Sequence, residues 1–385
     1  MIIKADQGLF IKNFASLRLG KRFFSRKGAK AQREWTILRM VNCQKLPLFF
    51  LFMVCFLAVN AQDKSERQAA IDSTFLGVEY YANENIDDAI QSFTSALKMD
   101  STYEEARYRR ANAYYENKDL KSARTDYQWL VNHHTQNAEV YEQLGDMDTA
   151  IQDFKDALPL FSAAIAIDSS QGSYFAARGL AWFYFEKYDK AAADLNRAVD
   201  LNYTNADLYS RLGYAKLRTG DNKGAALYFT KAIEANPKNY DDYANRGDAL
   251  VALHLLEEAK EDLLYYVSYD STDYSVWYNL ARADYGLKQY DSSIGCYKKV
   301  NRLKPGYGDT YFRMALVYAD KGDFKNAIDA FSLAIKEYPG DAYLYYNRAI
   351  ARAKLNDGSD YCADLKIAAD MDYELAINMM KKVCK

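Results

Sequence analysis

From Ala70 onward the apolar positions of this chain return every 34 residues, nine times in succession, with no insertion or deletion. With each copy numbered 1 to 34, position 8 holds Gly77, Ala111, Gly145, Gly179, Gly213, Gly247, Ala281, Ala315 and Ala349. Position 20 holds Ala89, Ala123, Ala157, Ala191, Ala225, Ala259, Ser293 and Ala327, and breaks at Tyr361. Position 24 is large throughout: Phe93, Tyr127, Phe161, Leu195, Phe229, Leu263, Tyr297, Phe331 and Leu365. Residues four apart share one helix face, so positions 20 and 24 belong to one helix that buries that face. The small columns at 8 and 20 are expected to answer each other where two helices cross closely, with position 24 as the knob that fills the core. Pro237, Pro305 and Pro339 all fall at position 32, where proline stops a helix that it cannot continue. The pattern predicts an antiparallel helix pair per copy and an all-α chain.

A 34-residue period with small residues at 8 and 20, a large one at 24 and proline at 32 resembles the tetratricopeptide repeat (TPR), over nine copies of 34, or 306 of 385 residues. The resemblance implies a right-handed superhelical solenoid in which each helix pair buries its apolar face against its neighbours. The repeats are 70–103, 104–137, 138–171, 172–205, 206–239, 240–273, 274–307, 308–341 and 342–375. A short segment, 62–69, precedes them, and 374–385 reads as a capping helix. Two copies depart from the pattern. Repeat 3 carries Pro159 at position 22, inside its second helix, at a cost of roughly 3 kcal/mol unless the helix kinks. It also has Asp148 where a large residue is usual, so it is expected to be the least regular copy. Repeat 9 has Tyr361 in the small column and Gly358 in its turn.

Ahead of the repeats the apolar run Leu46 to Val59 is 14 residues long, short of the roughly 20 that a spanning helix needs. With Lys45 before it and Val59-Asn60-Ala61 after it, 40–61 reads as a signal peptide cut before Gln62. The mature chain is then exported to a periplasmic or external space, with no membrane span. Cys55 follows Val54 rather than Gly or Ala, which argues against a lipid-anchor cysteine. Residues 1–39 hold ten Lys/Arg and read as a leader from a start placed too early, with Met40 the initiator. The other reading is a basic arm that keeps the apolar run as an anchor.

Residues 1–61 carry 11 of the 50 Lys+Arg and two of the 52 acids, so 62–385 has net charge 39 − 50 = −11. An acidic body without a basic stripe argues against nucleic acid as a partner. After signal removal three cysteines remain: Cys296, Cys362 and Cys384. With the turn between repeat 9 and the cap near Asp372 and Tyr373, antiparallel packing sets Cys362 and Cys384 level to within about 1.5 Å of helix rise. Export permits a disulfide there; two aligned buried thiols are the alternative.

Catalytic material is thin. His133 and His134 are adjacent and His254 lies far away in a turn, so no pair has metal-ligand spacing, and all three read as surface residues. No phosphate loop, nucleophile elbow or cofactor motif occurs, and the acids read as solvated helix faces. The expectation is a protein that is not an enzyme and holds no cofactor or metal. The TPR resemblance implies that positions 2, 5, 9 and 12 of the first helices line a concave groove. Carried over, these are Tyr108, Tyr115, Phe183, Tyr214, Tyr278, Tyr285, Phe312, Tyr343 and Tyr346, beside Glu105, Glu139, Glu142, Asp146, Asp207, Asp241, Asp248 and Asp309, with Arg282 the only base. Such a lining suits a protein or peptide with Lys or Arg among apolar side chains. The carboxylate-gripping clamp of some family members is missing, because Ala244, Asp248 and Asp309 stand where Lys, Asn and Lys belong. A glycan stacked on the aromatics is the alternative ligand.

Overall fold

The computed structural model describes residues 48–356 and 360–384, and side chains from Asn60. The leader 1–39, the start of the signal segment and Gly358 lie outside the described residues. The chain divides into two compact units, Met1–Ala69 and Ala70–Lys385. Helix α1 runs Leu48–Ala82, so the segment 62–69 is helical. From Ala70, α1 serves as the first helix of repeat 1.

Eighteen further helices follow among the described residues, and no strand. They are α2 (Ile86–Met99), α3 (Glu104–Glu116), α4 (Leu120–Asn132), α5 (Ala138–Ala150), α6 (Phe154–Ile167), α7 (Gly172–Tyr184), α8 (Tyr188–Asp200), α9 (Ala206–Arg218) and α10 (Asn222–Ala235). Then come α11 (Tyr240–Ala252), α12 (Leu256–Tyr269), α13 (Tyr274–Gly286), α14 (Tyr290–Leu303), α15 (Thr310–Lys321), α16 (Phe324–Glu337), α17 (Ala342–Leu355), α18 (Tyr361–Asp370) and α19 (Glu374–Val383). Each repeat is a first and a second helix, each second helix packs on the next first helix, and α19 closes the stack on α18.

The core follows the columns. A Cβ built on Gly77, Gly145, Gly179, Gly213 or Gly247 would meet Phe93, Phe161, Leu195, Phe229 or Leu263 of the same repeat at 2.5 to 3.0 Å. The small residue at position 8 therefore makes room for the knob at position 24, and position 20 stands against it as well: the Ala259 carbonyl lies 3.4 Å from a Cβ built on Gly247. All nine knobs are at most 1% exposed. Ser293, in the alanine column, is fully buried and donates to the carbonyl of Ala281 at 2.8 Å.

The turn within each repeat has a feature that composition hides. Position 15 adopts a left-handed backbone in all nine copies, as Glu84, Lys118, Gln152, Glu186, Gly220, His254, Lys288, Gly322 and Asn356, with φ between 51° and 85°. Only two are glycine. His254 is thus a turn residue, and Asp119, Asp153, Asp221 and Asp323 one position later cap the second helices by accepting the amide N–H three residues on.

Repeat 3 is not irregular. Its helices span 13 and 14 residues, as those of repeat 5 do, and Pro159 sits on the exposed side of α6, where the lost hydrogen bond leaves a carbonyl that water can reach. Asp148 is 2% exposed and ion-paired with Arg124 of the preceding repeat. Four repeats on, Lys260 and Asp284 make the same contact at 2.7 Å.

Nor are the acids all solvated. In repeats 2, 4, 6 and 9 an arginine at position 7 forks onto an aspartate at position 23: Arg110–Asp126, Arg178–Asp194, Arg246–Asp262 and Arg348–Asp364, each through two bonds of 2.7 to 2.9 Å. The third nitrogen of each guanidinium reaches a hydroxyl of the preceding repeat, on Thr94, Ser162, Thr230 or Ser332, at 2.9 to 3.2 Å. Repeats 3, 5 and 7 place buried Leu144, Leu212 and Leu280 at position 7 instead.

Candidate ligand groove

The first helices of repeats 3 to 7 touch their successors (α5–α7, α7–α9, α9–α11 and α11–α13), while second helices of neighbouring repeats make no contact of that extent. First helices thus form the inner face of this stretch, and positions 2, 5, 9 and 12 lie on them.

The aromatics on this face are less free than their positions imply. Phe183 is only 9% exposed, enclosed by the edges of Tyr188 and Tyr214 with ring centroids at 5.7 and 5.5 Å, so it is packing rather than ligand surface. The Tyr214 hydroxyl accepts from Arg218 at 3.1 Å. Tyr108 at position 5 donates its hydroxyl to Glu139 at position 2 of the next repeat, and Tyr278 donates to Asp309 in the same way five repeats on. Burial and the facing carboxylate push both phenols up to about 12. Arg313 completes the second bridge, 2.7 Å from the Tyr278 hydroxyl and 2.9 Å from Asp309. Tyr285 donates to Asp320. Phe312 is half-buried, edge-on to Tyr343 at 5.6 Å. Tyr115, 39% exposed, and Tyr343, 41% exposed, are the open rings, while Tyr346 leans on Tyr373 at 5.2 Å.

The acids differ from one another as well. Glu105 pairs with Arg109 and Asp207 with Arg211, each at 2.7 Å, and Asp309 with Arg313. Asp248 has Arg282 only at 3.9 Å. Glu142 and Asp146, one turn apart on α5, have no cation against them among the described residues. Asp146 is open to water, yet protein surrounds it on most sides and Glu142 is beside it. Desolvation by those walls and then the neighbouring charge push its carboxyl up to about 7. Glu142 and Asp248 are raised too, chiefly by the same desolvation. Tyr115 lies close enough to feel Asp146, and Tyr203 feels both acids of α5. Position-by-position reading missed Tyr203, since it occupies position 32, the column that is proline in three other repeats.

Of the remaining candidates, Cys362 and Cys384 are bonded, with Cα atoms 5.8 Å apart. Cys296 is a buried free thiol beside Asp284. His133 stacks on Trp129 at 3.7 Å. Among the described residues no group of three His, Cys, Asp or Glu could hold a metal, and no helix is long and apolar enough to cross a membrane.

Models of the tetratricopeptide repeat match residues 76–130 and 176–240, 136–160 and 274–307, and 309–341, more than half of the chain. The chain belongs to the tetratricopeptide-repeat family. Among its relatives, BBSome complex member BBS4 of Bos taurus is 24% identical over 261 residues, 59% of this chain and 49% of that protein. Tetratricopeptide repeat protein 6 of Homo sapiens is 25% identical over 346 residues, 77% of this chain and 66% of that one. This chain therefore spans about half of the first relative's length and just under two thirds of the second's. A solved TPR structure from Cytophaga hutchinsonii is 19% identical with a TM-score of 0.49, covering 62% of this chain and 98% of its own. YrrB, described as a TPR protein with an unusual peptide-binding site, is 19% identical with a TM-score of 0.44, covering 47% and 93%.

Proposed function

We propose that this TPR protein is a non-catalytic scaffold whose inner face binds a protein segment carrying Lys or Arg between apolar side chains. The observation that carries the reading is the acid pair Glu142 and Asp146, uncompensated by any facing cation among the described residues and flanked by Tyr115 and Tyr203. A basic side chain relieves that repulsion while the rings supply contact area. Asp248, held only loosely by Arg282, offers a second acidic station three repeats along the same face. First helices in contact lie 8–10 Å apart, so the stations are separated by roughly 24–30 Å, or about 7–9 residues of extended peptide.

Export through 40–61 and residence in a cell envelope belong to the same proposal and rest on the sequence alone. The glycan alternative is weaker, because Tyr108, Tyr278 and Tyr285 spend their hydroxyls on neighbouring carboxylates. The co-chaperone relative sgt12 of Aspergillus fumigatus, 30% identical over 115 residues, 29% of this chain and 33% of that protein, is consistent with a protein-binding role.

The test is an array of extended 12-residue peptides with one or two Lys/Arg and flanking Leu or Phe, followed by calorimetry on the best binders. Binding should weaken with salt and fall at least tenfold in Asp146→Asn and in Tyr115→Ala. Equal affinity of these variants and the parent, with intact circular dichroism, sinks the reading.

A further inference from the structure

The C-terminal helix is held less by burial than by one covalent bond. Helix α19 follows α18 after three residues and occupies the place of a tenth first helix. Ala376, its third residue, is its only fully buried one. Leu208 and Leu344, third in α9 and α17, are buried in the same way, but those helices also bury a position-8 residue beneath their own second helix. In α19 the equivalent is Lys381, which is exposed. Leu375 and Val383 face solvent, 54% and 43% exposed. Met379 and Met380 are only half-covered. Against that sparse packing stands the Cys362–Cys384 bond at the far end of the helix, half-buried and thus within reach of a thiol.

The near end of α19 touches the inner face. Tyr373 sits edge-on to Tyr343 at 6.2 Å and to Tyr346 at 5.2 Å, and both belong to the groove columns of repeat 9. One helix therefore links an accessible disulfide to the last rings of the groove.

We propose that Cys362–Cys384 is a redox latch: its reduction releases α19 and strips Tyr373 from Tyr343 and Tyr346, changing the end of the inner face while the repeats stay folded. The step consumes one dithiol. A thiolate of the reductant attacks one sulfur, its second thiol resolves the mixed disulfide, and the products are two cysteine thiols and the oxidised reductant. The bond closes a loop of about 20 residues, and its opening restores chain entropy corresponding to about a hundredfold shift toward the undocked helix. The repeats do not share this dependence, because each buries its own knob against its neighbours. The latch itself does not require that repeat 9 touch a ligand, so it is tested independently of the binding proposal.

The experiment is hydrogen exchange on the full chain, oxidised, reduced with dithiothreitol, and as Cys384→Ser, with acylation of exposed tyrosines by N-acetylimidazole in parallel. Amides of 374–384 should lose protection by about a hundredfold in the reduced and Cys384→Ser forms, and Tyr343, Tyr346 and Tyr373 should become more reactive, while α7 to α14 stay unchanged. Protection of α19 that survives reduction overturns the latch, since packing alone would then hold the helix. Loss of protection through the whole stack overturns it too, since the bond would then be a general staple.

Discussion

Removing the acid from one buried fork tests whether those pairs hold repeats together or merely decorate them. In repeat 6, Arg246 meets Asp262 through Nε at 2.7 Å and Nη2 at 2.8 Å, with Nη1 3.1 Å from Thr230. The two side chains are 21% and 7% exposed. Asp262→Ala leaves a guanidinium without its counter-ion between two helix layers. Breaking a buried pair from one side costs about 3–5 kcal/mol, and the partial exposure of Arg246 places this one near the lower end. The chain supplies its own control, because repeat 3 fills the same two positions with Leu144 and Leu160. The double variant Arg246→Leu, Asp262→Leu removes both charges and should return to within about 1 kcal/mol of the parent. Thr230 keeps its bond to the Ala226 carbonyl at 2.8 Å in either case. Urea unfolding followed by circular dichroism measures the difference, with hydrogen exchange on α11 and α12 because repeat arrays need not unfold in one step. A single variant that costs less than 1 kcal/mol, or a double variant no better than the single, refutes the reasoning.

Affinity for a basic peptide should fall about tenfold between pH 8 and pH 6, because Asp146 titrates near 7 and only its carboxylate attracts the ligand; Asp146→Asn should flatten the profile in calorimetry. Asp242, 2% exposed and accepting from Ser210 and Asn239, has its carboxyl pushed up to about 6 by burial. Its folded value lies above its unfolded one, so stability falls as pH rises from 4 through 6, and Asp242→Asn should stabilise the protein at pH 8 by on the order of 3 kcal/mol in denaturant titrations, with little gain at pH 4. N-terminal sequencing of exported protein should find Gln62 first; a retained segment upstream of Ala61 contradicts cleavage and favours an anchor.

What was legible in the sequence was whatever each copy repeats for the same reason. The small residue at position 8 and the knob at position 24 recur in copy after copy, and three copies add a proline stop, so the columns point to the helix pairs and to the cap. Position 15 is equally uniform in backbone, yet it is filled by Glu, Lys, Gln, His and Asn as well as Gly, and no residue type advertises it. Its neighbour Asp at position 16 was the available signal, a capping residue in four repeats. Phe183 was misplaced for a different reason. Position 12 lies on the inner face, but in repeat 4 Tyr188 and Tyr214 close over it, and side-chain size two helices away cannot be read from one column. The groove tyrosines were assigned by position, whereas their engagement depends on the residue 31 further on, Glu139 for Tyr108 and Asp309 for Tyr278.

The buried forks escaped because they obey a longer period. Arginine at position 7 and aspartate at 23 appear in repeats 2, 4 and 6, a spacing of 68 residues, and then in repeat 9 after two apolar copies. A column read at 34 mixes Arg with Leu and looks like noise, and an Asp in such a column looks solvated. The alternation has a structural consequence. Hydroxyls that receive the third guanidinium nitrogen lie in repeats 1, 3, 5 and 8, so every fork ties an Arg-bearing repeat to an Arg-free one before it. Were a first helix to pair with the second helix of an adjacent copy instead of its own, Arg178 would face Leu160 or Tyr228 in place of Asp194. That leaves a buried charge unpaired, a penalty of several kcal/mol set against contacts that are otherwise much alike from copy to copy. Of nine nearly equivalent helix pairs, four therefore carry a polar group that only the correct partner helix can satisfy.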